Sequence, residues 1–437
     1  MKRTLVLLLA AAAFLAAQRK RGPDSEIFHT EVPAHTFDVI LGRATATSLT
    51  ATVMFYEDHE GRIECGAKRT PNVPFPKGKP VSIVLDGLKP DSANTYHLRY
   101  RKAGASSFES SPAYTFHTQR PTGANFTFAV QADSHLDENT DPATYKQTLE
   151  NMAAARPDFV IDLGDTFMTD KRRTDFQQAF PQYVAQRYYF GLVSSSAPLF
   201  LVLGNHDGES GARSEMTAWS RNLRTTYFPN PVVNNQQAYY SFTWGDALFI
   251  ALDPYTYTTS RGRDDNWHWT LGDAQYRWLK ATLEQSKAKY KFVFTHHPTG
   301  AKGQPIRGGI EAAKYNEWGG KNEDGSDGFA AHRPAWEMPI HQMLVKNKVT
   351  AVFHGHDHMY VREQLDGIVY QELPQPGNTR ESAPRNAEEY GYIHGGVLGG
   401  SGYLRVNVAP DKVTVDYILA GRRNGVVAES YSIASNQ

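Results

Sequence analysis

The segment FVIDLGD, Phe159–Asp165, decides which fold the chain can form. Its β-prone residues closely follow Pro157, which is a poor helix-interior residue, so the segment predicts a short buried strand that ends in a sharp turn at Gly164. Asp165 then lies at the carboxyl end of the strand, where open α/β sheets place their functional side chains. Taken alone, Asp165 is better explained as a turn residue that caps the next segment.

Four other apolar runs end in the same kinds of side chain. These runs are Phe126–Val130, before Asp133 and His135; Leu199–Leu203, before Asn205, His206 and Asp207; Phe292–Phe294, before His296 and His297; and Val349–Phe353, before His354, His356, Asp357 and His358. Carboxylate, imidazole and amide-oxygen ligands suit Fe, Mn or Zn, and the lack of thiolates argues against a closed structural zinc site. The five strand ends together therefore predict a metal site.

The motifs that carry these side chains follow one another in a familiar order. DSH, GD, GNHD, the histidine that closes FVFTH, and GHDH occur as they do in calcineurin-like metallophosphoesterases, a family that includes the purple acid phosphatases. The chain resembles this family from about Asn125 to its end. The resemblance implies an α/β (α+β) fold, a four-layer α/β/β/α sandwich in which two mixed sheets lie face to face with helices outside.

Residues 36–120 have a different pattern, with short alternating strands. The segment Gly87–Arg101 resembles the corner before a late strand of fibronectin type III domains, in which a tyrosine, here Tyr96, turns its hydroxyl back onto nearby backbone. We therefore expect an all-β immunoglobulin/fibronectin-like sandwich, similar to the small N-terminal domain of purple acid phosphatases, ahead of a catalytic domain over residues 121–437. Packing against that domain is a better explanation of its role than carbohydrate binding.

The first residues have the features of a secretory signal. Lys2 and Arg3 precede an apolar run, so we expect a signal peptide over residues 1–17, a linker over residues 18–35, and a secreted or periplasmic protein. An uncleaved N-terminal anchor is the alternative, because basic residues follow the run. The run is too short for a stable membrane span.

The composition excludes several classes of protein. The 437 residues contain 46 Lys plus Arg and 46 Asp plus Glu, so the net charge is zero and no nucleic-acid-binding surface is indicated. The single cysteine, Cys65, allows no intrachain disulfide and lacks the arginine spacing of cysteine phosphatases, so we expect a buried apolar role. The expected partner is a small-molecule phosphate ester, and the oligomeric state is left open.

The resemblance assigns ligands to two transition-metal ions, with Fe, Mn and Zn all possible. One ion would be held by Asp133, His135, Asp165 and His358, and the other by Asp165, Asn205, His296 and His356. Purple acid phosphatases have a tyrosine three residues after the bridging aspartate, where this chain has Met168. The colour of that subfamily comes from the tyrosine, so we expect a protein of the non-purple type.

The resemblance also assigns the catalytic residues, His206 as the general acid and Asp207 as the partner that orients it. The function this implies is an exported phosphohydrolase that cleaves phosphomonoesters through attack by a metal-bridging hydroxide. A phosphodiesterase for nucleotides or phospholipids is one alternative. A non-catalytic surface or binding protein on the same fold is another, although none of the ligands is missing.

Two further segments are candidates for the rim of the site. Gly308–Trp336 is an unusually long insertion rich in glycine and aromatic residues, and Thr256–Trp269 is the second. The candidate substrate-binding residues in and beside them are Arg307, His332, Arg261 and His268. We expect the insertion to be a mobile cover whose aromatic side chains stack on the leaving group, and deletion of residues 308–327 to spare the metals and the hydrolysis of small esters.

Overall fold

The computed structural model describes residues 27–231, 238–259, 266–299, 308–378, 380 and 385–435. Its strands are β1 (Phe37–Gly42), β2 (Leu49–Phe55), β3 (His59–Cys65), β4 (Lys68–Arg69), β5 (Val73–Phe75), β6 (Val81–Leu85), β7 (Ala93–Lys102), β8 (Glu109–Ser110), β9 (Tyr114–His117), β10 (Phe126–Gln131), β11 (Phe159–Asp162), β12 (Leu199–Leu201), β13 (Tyr240–Trp244), β14 (Ala247–Ala251), β15 (Tyr290–Phe294), β16 (Ala351–His354), β17 (Tyr360–Leu365), β18 (Ile368–Glu372), β19 (Gly396–Leu398), β20 (Gly402–Val408), β21 (Lys412–Leu419) and β22 (Val427–Ala434). Its α-helices are α1 (Pro142–Ala155), α2 (Phe180–Ser194), α3 (Ser214–Tyr227), α4 (Gly272–Gln285), α5 (Gly309–Ala312), α6 (Asn316–Gly319), α7 (Phe329–His332) and α8 (Ile340–Lys346).

The first nine strands form two antiparallel sheets. One sheet has the order β1-β2-β6, and the other has the order β4-β3-β7-β8, with β5 beside β3 and β9 beside β7. Alternate side chains of these strands enclose one apolar core, in which Cys65 is buried among residues such as Phe55, Leu98 and Phe116. This is the all-β N-terminal sandwich expected from the alternating pattern.

The rest of the described chain is built around two mixed sheets. One has the order β12-β11-β10-β20-β21-β22, and the other has the order β13-β14-β15-β16-β18-β17-β19. Strands β10, β11 and β12 run parallel, as do β14, β15, β16 and β18. A large aromatic core, which includes Phe128, Phe159, Phe249 and Phe353, fills the space between the two sheets.

Helices cover both outer faces of this pair of sheets. Helices α1, α2 and α3 share an apolar cluster with the first sheet, and α4 together with α8 shares another with the second. The predicted four-layer α/β/β/α arrangement is therefore confirmed. It places the carboxyl ends of β10, β11, β12, β15 and β16 along one edge of the two sheets, because parallel neighbours end on the same side. None of the helices in the described ranges is long and apolar enough to cross a bilayer.

The prediction that the Tyr96 hydroxyl turns back onto nearby backbone of the sandwich is wrong. Tyr96 is fully buried in β7, and its hydroxyl donates to the carbonyl oxygen of Ser195, just after α2, at 2.7 Å. The hydroxyl therefore ties the sandwich to the sheet-and-helix unit and does not turn back onto the sandwich's own backbone. The physical reason is the close packing of the two units, which brings a carbonyl acceptor to the buried phenol.

The part of the predicted linker that the structure describes lies along the sheet-and-helix unit. Phe28 forms an isolated antiparallel bridge with Asp137, and the His29 amide donates to the carbonyl oxygen of Leu136 at 2.7 Å. The guanidinium of Arg172 lies 4.0 Å from the centre of the Phe28 ring. Residues 27–29 are therefore held against the loop that follows β10, whereas the signal predicted over residues 1–17 lies outside the described residues.

The expectation of a mobile cover over residues 308–336 is also wrong. Trp318 is fully buried, its indole N–H donates to the Tyr370 hydroxyl at 3.0 Å, and Trp336 stacks on Tyr276 with ring centres 4.0 Å apart. Glu317 accepts the Leu271 amide at 2.8 Å and pairs with Arg333. Trp318 and Trp336 therefore build the outer helical layer and are not available to stack on a leaving group.

Trp318→Ala is therefore expected to destabilise the protein by about 3–5 kcal/mol, the usual range for a large aromatic side chain lost from a core. Urea unfolding of the two proteins measures the difference. Trp278→Ala is the matched control, since Trp278 is only partly buried against the same cluster and should cost less. A loss for Trp318→Ala no greater than that for Trp278→Ala would contradict the assignment. Deletion of residues 308–327 removes Trp318 and Glu317 together, so it cannot serve as a neutral test of a cover.

Candidate metal centre

Six side chains from the strand ends come together at one edge of the two sheets. Two groups have ligand atoms within 4.8 Å of one another, Asp133 with His135 and His358, and Asp165 with His296 and His356. The groups adjoin, because the His135 Nε2 atom lies 3.8 Å from Asp165 Oδ2 and the His296 Nε2 atom lies 3.9 Å from Asp133 Oδ1. Asp165 thus lies between the two groups, as a shared carboxylate would.

Five of these residues have backbone conformations that L-residues rarely adopt. The φ angles are 58° at Asp133, 44° at His135, 53° at Asp165, 87° at His356 and 60° at His358. Each costs free energy that the surrounding structure must supply, and such strain concentrates where a protein needs a side chain in one particular place. The strand-end turns are therefore shaped to aim these side chains inward, at the expense of local stability.

Two glycines allow the loops after β11 and β12 to approach each other closely. A Cβ atom on Gly204 would lie 2.0 Å from the Asp165 amide nitrogen, and one on Gly164 would lie 2.2 Å from the Gly204 amide nitrogen. Gly164 also has a φ angle of 95°. The glycine of the GD motif and the glycine of the GNHD motif are therefore required for steric reasons, since any side chain there would push Asp165 and Asn205 apart.

Hydrogen bonds at the outer nitrogens of two histidines turn their inner nitrogens toward the centre. The Nδ1 atom of His135 lies 3.0 Å from Asp137 Oδ2, and the Nδ1 atom of His296 donates to the carbonyl oxygen of Leu163 at 2.9 Å. A carbonyl oxygen can only accept, so His296 carries its proton on Nδ1 and presents Nε2 to the centre when the ring is neutral. This is the arrangement that fixes histidine ligands around metals.

Asp137→Ala is expected to weaken the affinity for one of two metal ions by about 10–100-fold, because partners that orient a ligand have effects of this size. Metal titration against a competing chelator measures both affinities. Glu138→Ala removes the next carboxylate along the chain, which is exposed, and should leave both values close to wild type. Equal weakening of both ions by Asp137→Ala would show that the loop as a whole, and not the orientation of His135, had been disturbed.

The carboxylates and imidazoles of the centre shift one another's pKa values. Burial alone would raise the pKa of Asp133, but the positive charges of His358 and His296 hold it well below the ordinary value. Burial opposes a charged imidazole at His135, yet its contacts with Asp133 and Asp137 raise its pKa to about 10, and the charges of Asp165 and Asp133 raise the pKa of His296 to about 9. Protons therefore bind where a cation would bind, so metal binding must release protons and is favoured as the pH rises.

Several buried polar atoms at this centre make no hydrogen bond within the described chain. They are Asp133 Oδ1, His135 Nε2, Asn205 Oδ1 and His296 Nε2. A buried polar atom without a hydrogen bond costs free energy, and the carboxylate and imidazole atoms among these four belong to the two converging groups and are good ligands for Fe, Mn or Zn. The residues of the two groups therefore fit a pair of metal ions.

His206 is oriented by Asp170 and not, as the sequence led us to expect, by Asp207. The His206 Nδ1 atom lies 2.8 Å from Asp170 Oδ1, and its Nε2 atom lies 3.9 Å from Asp165 Oδ2. The side chain of His206 is 23% exposed, so it lies beside the ligand groups and still faces solvent. A histidine in that position is suited to passing a proton.

The carboxylate of Asp207 is occupied by backbone amides. It accepts from Asp165 at 3.1 Å and from Thr166, Phe167 and Gly204, each at 2.8 Å. These bonds hold the loop after β11 against the loop after β12. Asp207 is therefore a positioning residue for both loops, and no lone pair is left for the neighbouring imidazole, which points the other way.

Of the four candidate substrate-binding residues, the two that the structure describes are not gathered at the centre. Arg307 and Arg261 lie outside the described residues. His332 is exposed and its ring lies flat on Trp267, with ring centres 4.4 Å apart, and His268 is exposed in the short helical turn Asn266–His268. Neither histidine is among the side chains whose ligand atoms converge.

Two residues of the centre were missed by the sequence argument, Asp137 and Asp170. Each lies a few positions after a proposed ligand in a tight turn, two residues after His135 and five after Asp165. A turn of two residues returns the chain toward the ligand, so the acidic residue after His135 is a signal that could have been used, whereas no local signal connects Asp170 with His206.

Two carboxylates and four imidazoles that converge at the strand ends of two stacked mixed sheets are the side chains of a metal-dependent hydrolase. A family model described as calcineurin-like phosphoesterase matches residues 126–360, which is more than half of the chain. The chain belongs to the calcineurin-like phosphoesterase family, and this family implies a dinuclear metal centre.

Similar proteins agree with this assignment. Over 290 residues the chain is 25% identical to tartrate-resistant acid phosphatase type 5 from Oryctolagus cuniculus, a match that covers 61% of this chain and 77% of that protein. It is 24% identical over 339 residues to purple acid phosphatase 23 from Arabidopsis thaliana, covering 71% of this chain and 65% of that protein.

Two solved structures have the same fold. The purple acid phosphatase from yellow lupin seeds superposes with a TM-score of 0.63 at 16% identity, covering 91% of this chain and 74% of that chain. The structure of PhoD superposes with a TM-score of 0.65 at 16% identity, covering 92% and 90%. At these identities the comparison establishes the fold, N-terminal sandwich included, and nothing finer.

Proposed function

We propose that the protein is a phosphatase that hydrolyses phosphomonoesters outside the cytoplasm. The observation that carries the proposal is the contact between Asp170 and His206 beside the two ligand groups, which places an oriented, partly exposed proton donor where a leaving group can reach it. The similar proteins named acid phosphatases support the choice of monoesters over diesters.

In this proposal the ligands are Asp133, His135, Asp165 and His358 for one ion and Asp165, Asn205, His296 and His356 for the other. Two bound ions would supply a hydroxide nucleophile near neutral pH and neutralise charge on the phosphoryl oxygens. A hydroxide oxygen would bond to phosphorus as the ester P–O bond breaks, and the leaving oxygen, which keeps the electron pair of that bond, would take the proton of the His206 imidazolium.

The protein residues prepare each part of that reaction. The Asp165 Oδ1 atom accepts the His206 amide at 2.7 Å, so this hydrogen bond ties the loop that carries the shared carboxylate to the loop that carries the proposed proton donor. The Asp133 Oδ2 atom accepts the His356 amide at 2.9 Å and couples the two ligand groups in the same way. Positioning of this kind supplies much of the rate enhancement that such centres achieve.

A comparison of esters tests the proposed function. Metal-loaded protein is assayed with nitrophenyl phosphate, glycerol phosphate and bis-nitrophenyl phosphate, and the monoesters are expected to have the higher kcat/KM. The loaded protein should lack a phenolate charge-transfer band, since buried Met168 follows the shared carboxylate where the purple enzymes have tyrosine. Faster cleavage of the diester would overturn the monoester assignment, and a strong phenolate band would overturn the non-purple assignment.

Export is the remaining part of the proposal, and it is supported by the apolar run after Lys2 and Arg3. Protein recovered from outside the cytoplasm should begin near Gln18 when its N-terminus is sequenced. A soluble cytoplasmic protein that retains Met1 would contradict export.

A further inference from the structure

Helix α2 carries two glutamines that hold the loops in which three of the proposed metal ligands lie. Gln182 and Gln186 are both fully buried, and they lie on the same face of the helix because four positions separate them. The side-chain amide of Gln186 donates to the carbonyl oxygen of Thr166 at 3.0 Å and to the Ser134 hydroxyl at 2.8 Å. The side-chain amide of Gln182 donates to the carbonyl oxygen of Thr166 at 3.2 Å and to that of His135. The two glutamines therefore join the loop after β10 to the loop after β11.

These contacts support one side of the metal centre. The loop after β10 carries Asp133 and His135, and the loop after β11 carries Asp165; together with His358 they are the ligands proposed for one ion, here called the first ion. The backbone of all three loop residues has a positive φ angle, so it needs support from its surroundings. Within the described chain, neither glutamine bonds to a loop that carries a ligand of the second ion alone.

The N-terminal sandwich holds the same helix through other residues. Arg187 of α2 is fully buried, and its guanidinium donates to the carbonyl oxygen of Thr52 in β2 at 2.9 Å. The Tyr96 hydroxyl of β7 donates to the carbonyl oxygen of Ser195, the residue after α2. Apolar side chains of β1 and β2 also share one buried cluster with those of α2. The sandwich and the two ligand loops are therefore bound to a single helix.

We propose that the N-terminal sandwich helps to fix the ligands of the first metal ion through helix α2, with Gln182 and Gln186 as the positioning residues. The inference rests on the ligand set of the proposed function, and it extends that function by giving the sandwich a part in metal binding. Packed helices and hydrogen-bond networks are the elements through which distant parts of a protein affect each other. A shift of α2 would move the carbonyl oxygens of His135 and Thr166, so the affinity for the first ion would fall more than the affinity for the second.

Titration of the metal-free protein with Zn²⁺ against a competing chelator tests the two glutamines. Gln182→Met and Gln186→Met keep the size of the side chain and remove the donor. Each should weaken the affinity for the first ion by about 10–100-fold, the range for residues that orient metal ligands, and the affinity for the second ion less. His358→Ala and Asn205→Ala show which measured affinity belongs to which ion, because each removes a ligand assigned to one ion only.

Gln275→Met is the matched control for the loss of a buried glutamine. Gln275 is fully buried on α4 and donates to the carbonyl oxygens of Asp253 at 2.7 Å and Leu271 at 3.2 Å, neither of which lies in a loop with a proposed ligand. This variant should lose stability to urea as the α2 variants do and keep both Zn²⁺ affinities. Equal weakening of the two ions in the Gln182 and Gln186 variants, or wild-type affinities in both variants, would overturn the positioning role.

Tyr96→Phe tests the sandwich without removing a buried ring. The variant loses only the hydroxyl that donates to Ser195, so the affinity for the first ion should fall by about 2–10-fold, the range for one neutral hydrogen bond. Tyr100→Phe is the control, since the Tyr100 hydroxyl donates to Glu109 within the sandwich and its loss should leave both affinities unchanged. Identical affinities in Tyr96→Phe and Tyr100→Phe would overturn the part given to the sandwich. A wild type that does not bind two Zn²⁺ ions would instead overturn the ligand set on which the inference rests.

Discussion

Asp165→Asn is expected to remove both metal ions and to lower kcat by well over 10³-fold, because the loss of a single electrostatic donor from an active site already costs about 10²–10³-fold. Asp165 lies between the two ligand groups, with Oδ2 at 3.3 Å from His296 Nε2 and 3.8 Å from His135 Nε2. An amide carries no charge to balance two cations, so neither ion retains its full set of ligands.

The substitution should leave the fold in place, which makes the result interpretable. The amide oxygen can still accept the His206 amide that Asp165 Oδ1 accepts at 2.7 Å. Metal analysis of the purified protein and steady-state kinetics give the two readouts. Wild-type metal content in Asp165→Asn would show that Asp165 is not the shared ligand.

Asp162→Asn is the matched control, three residues earlier on the same segment. Asp162 accepts hydrogen bonds from the Thr166 hydroxyl at 2.6 Å, the Gly164 amide at 3.1 Å and the Gln131 side chain at 2.8 Å. Burial raises the pKa of Asp162 to about 6, so a neutral side chain is tolerated there far better than at Asp165. Asp162→Asn should therefore keep both ions, with a change in stability and little change in metal content.

His206→Ala is expected to lower kcat/KM by about 10²–10⁴-fold for alkyl phosphates, whose leaving oxygen must be protonated. The loss should be much smaller for nitrophenyl phosphate, because a nitrophenolate leaves without a proton. The measurement is the ratio of the two substrates in wild type and variant. An equal loss on both substrates would make His206 a positioning residue.

The partner of His206 is tested by two carboxylate variants. Asp170→Asn removes the negative charge beside His206 Nδ1 and should change the ratio of the two substrates in the same direction as His206→Ala. Asp207→Asn disturbs amide contacts to the loops after β11 and β12, so it should lower metal content and affect both substrates alike. The reverse outcome, with selective loss in Asp207→Asn only, would restore Asp207 as the orienting partner.

The sequence was sufficient to predict the strand ends of the centre. Each apolar run is short and is followed by a residue of a type that binds metal ions. Parallel strands must bring their carboxyl ends to one edge of a sheet. The sequence alone therefore places Asp133, Asp165 and His296 together. The order of the motifs extended this prediction to the four-layer fold.

The sequence could not predict which of two acidic residues binds His206. Asp207 is its neighbour in the chain, but consecutive residues point in different directions, and Asp207 is drawn to the backbone amides of Asp165, Thr166 and Gly204. Asp170 is far from His206 in sequence and reaches it only because the loops after β11 and β12 cross. The order of the strands in the sheet brings these two loops together, so the local sequence around His206 does not predict the contact.

The sequence by itself determined which side chains can bind metal, because strand pattern and ligand type are local. The tertiary structure decided which hydrogen-bond partners the large buried side chains have. Tyr96 donates to Ser195, and Trp318 donates to Tyr370, because each buried polar group takes the acceptor that packing brings to it.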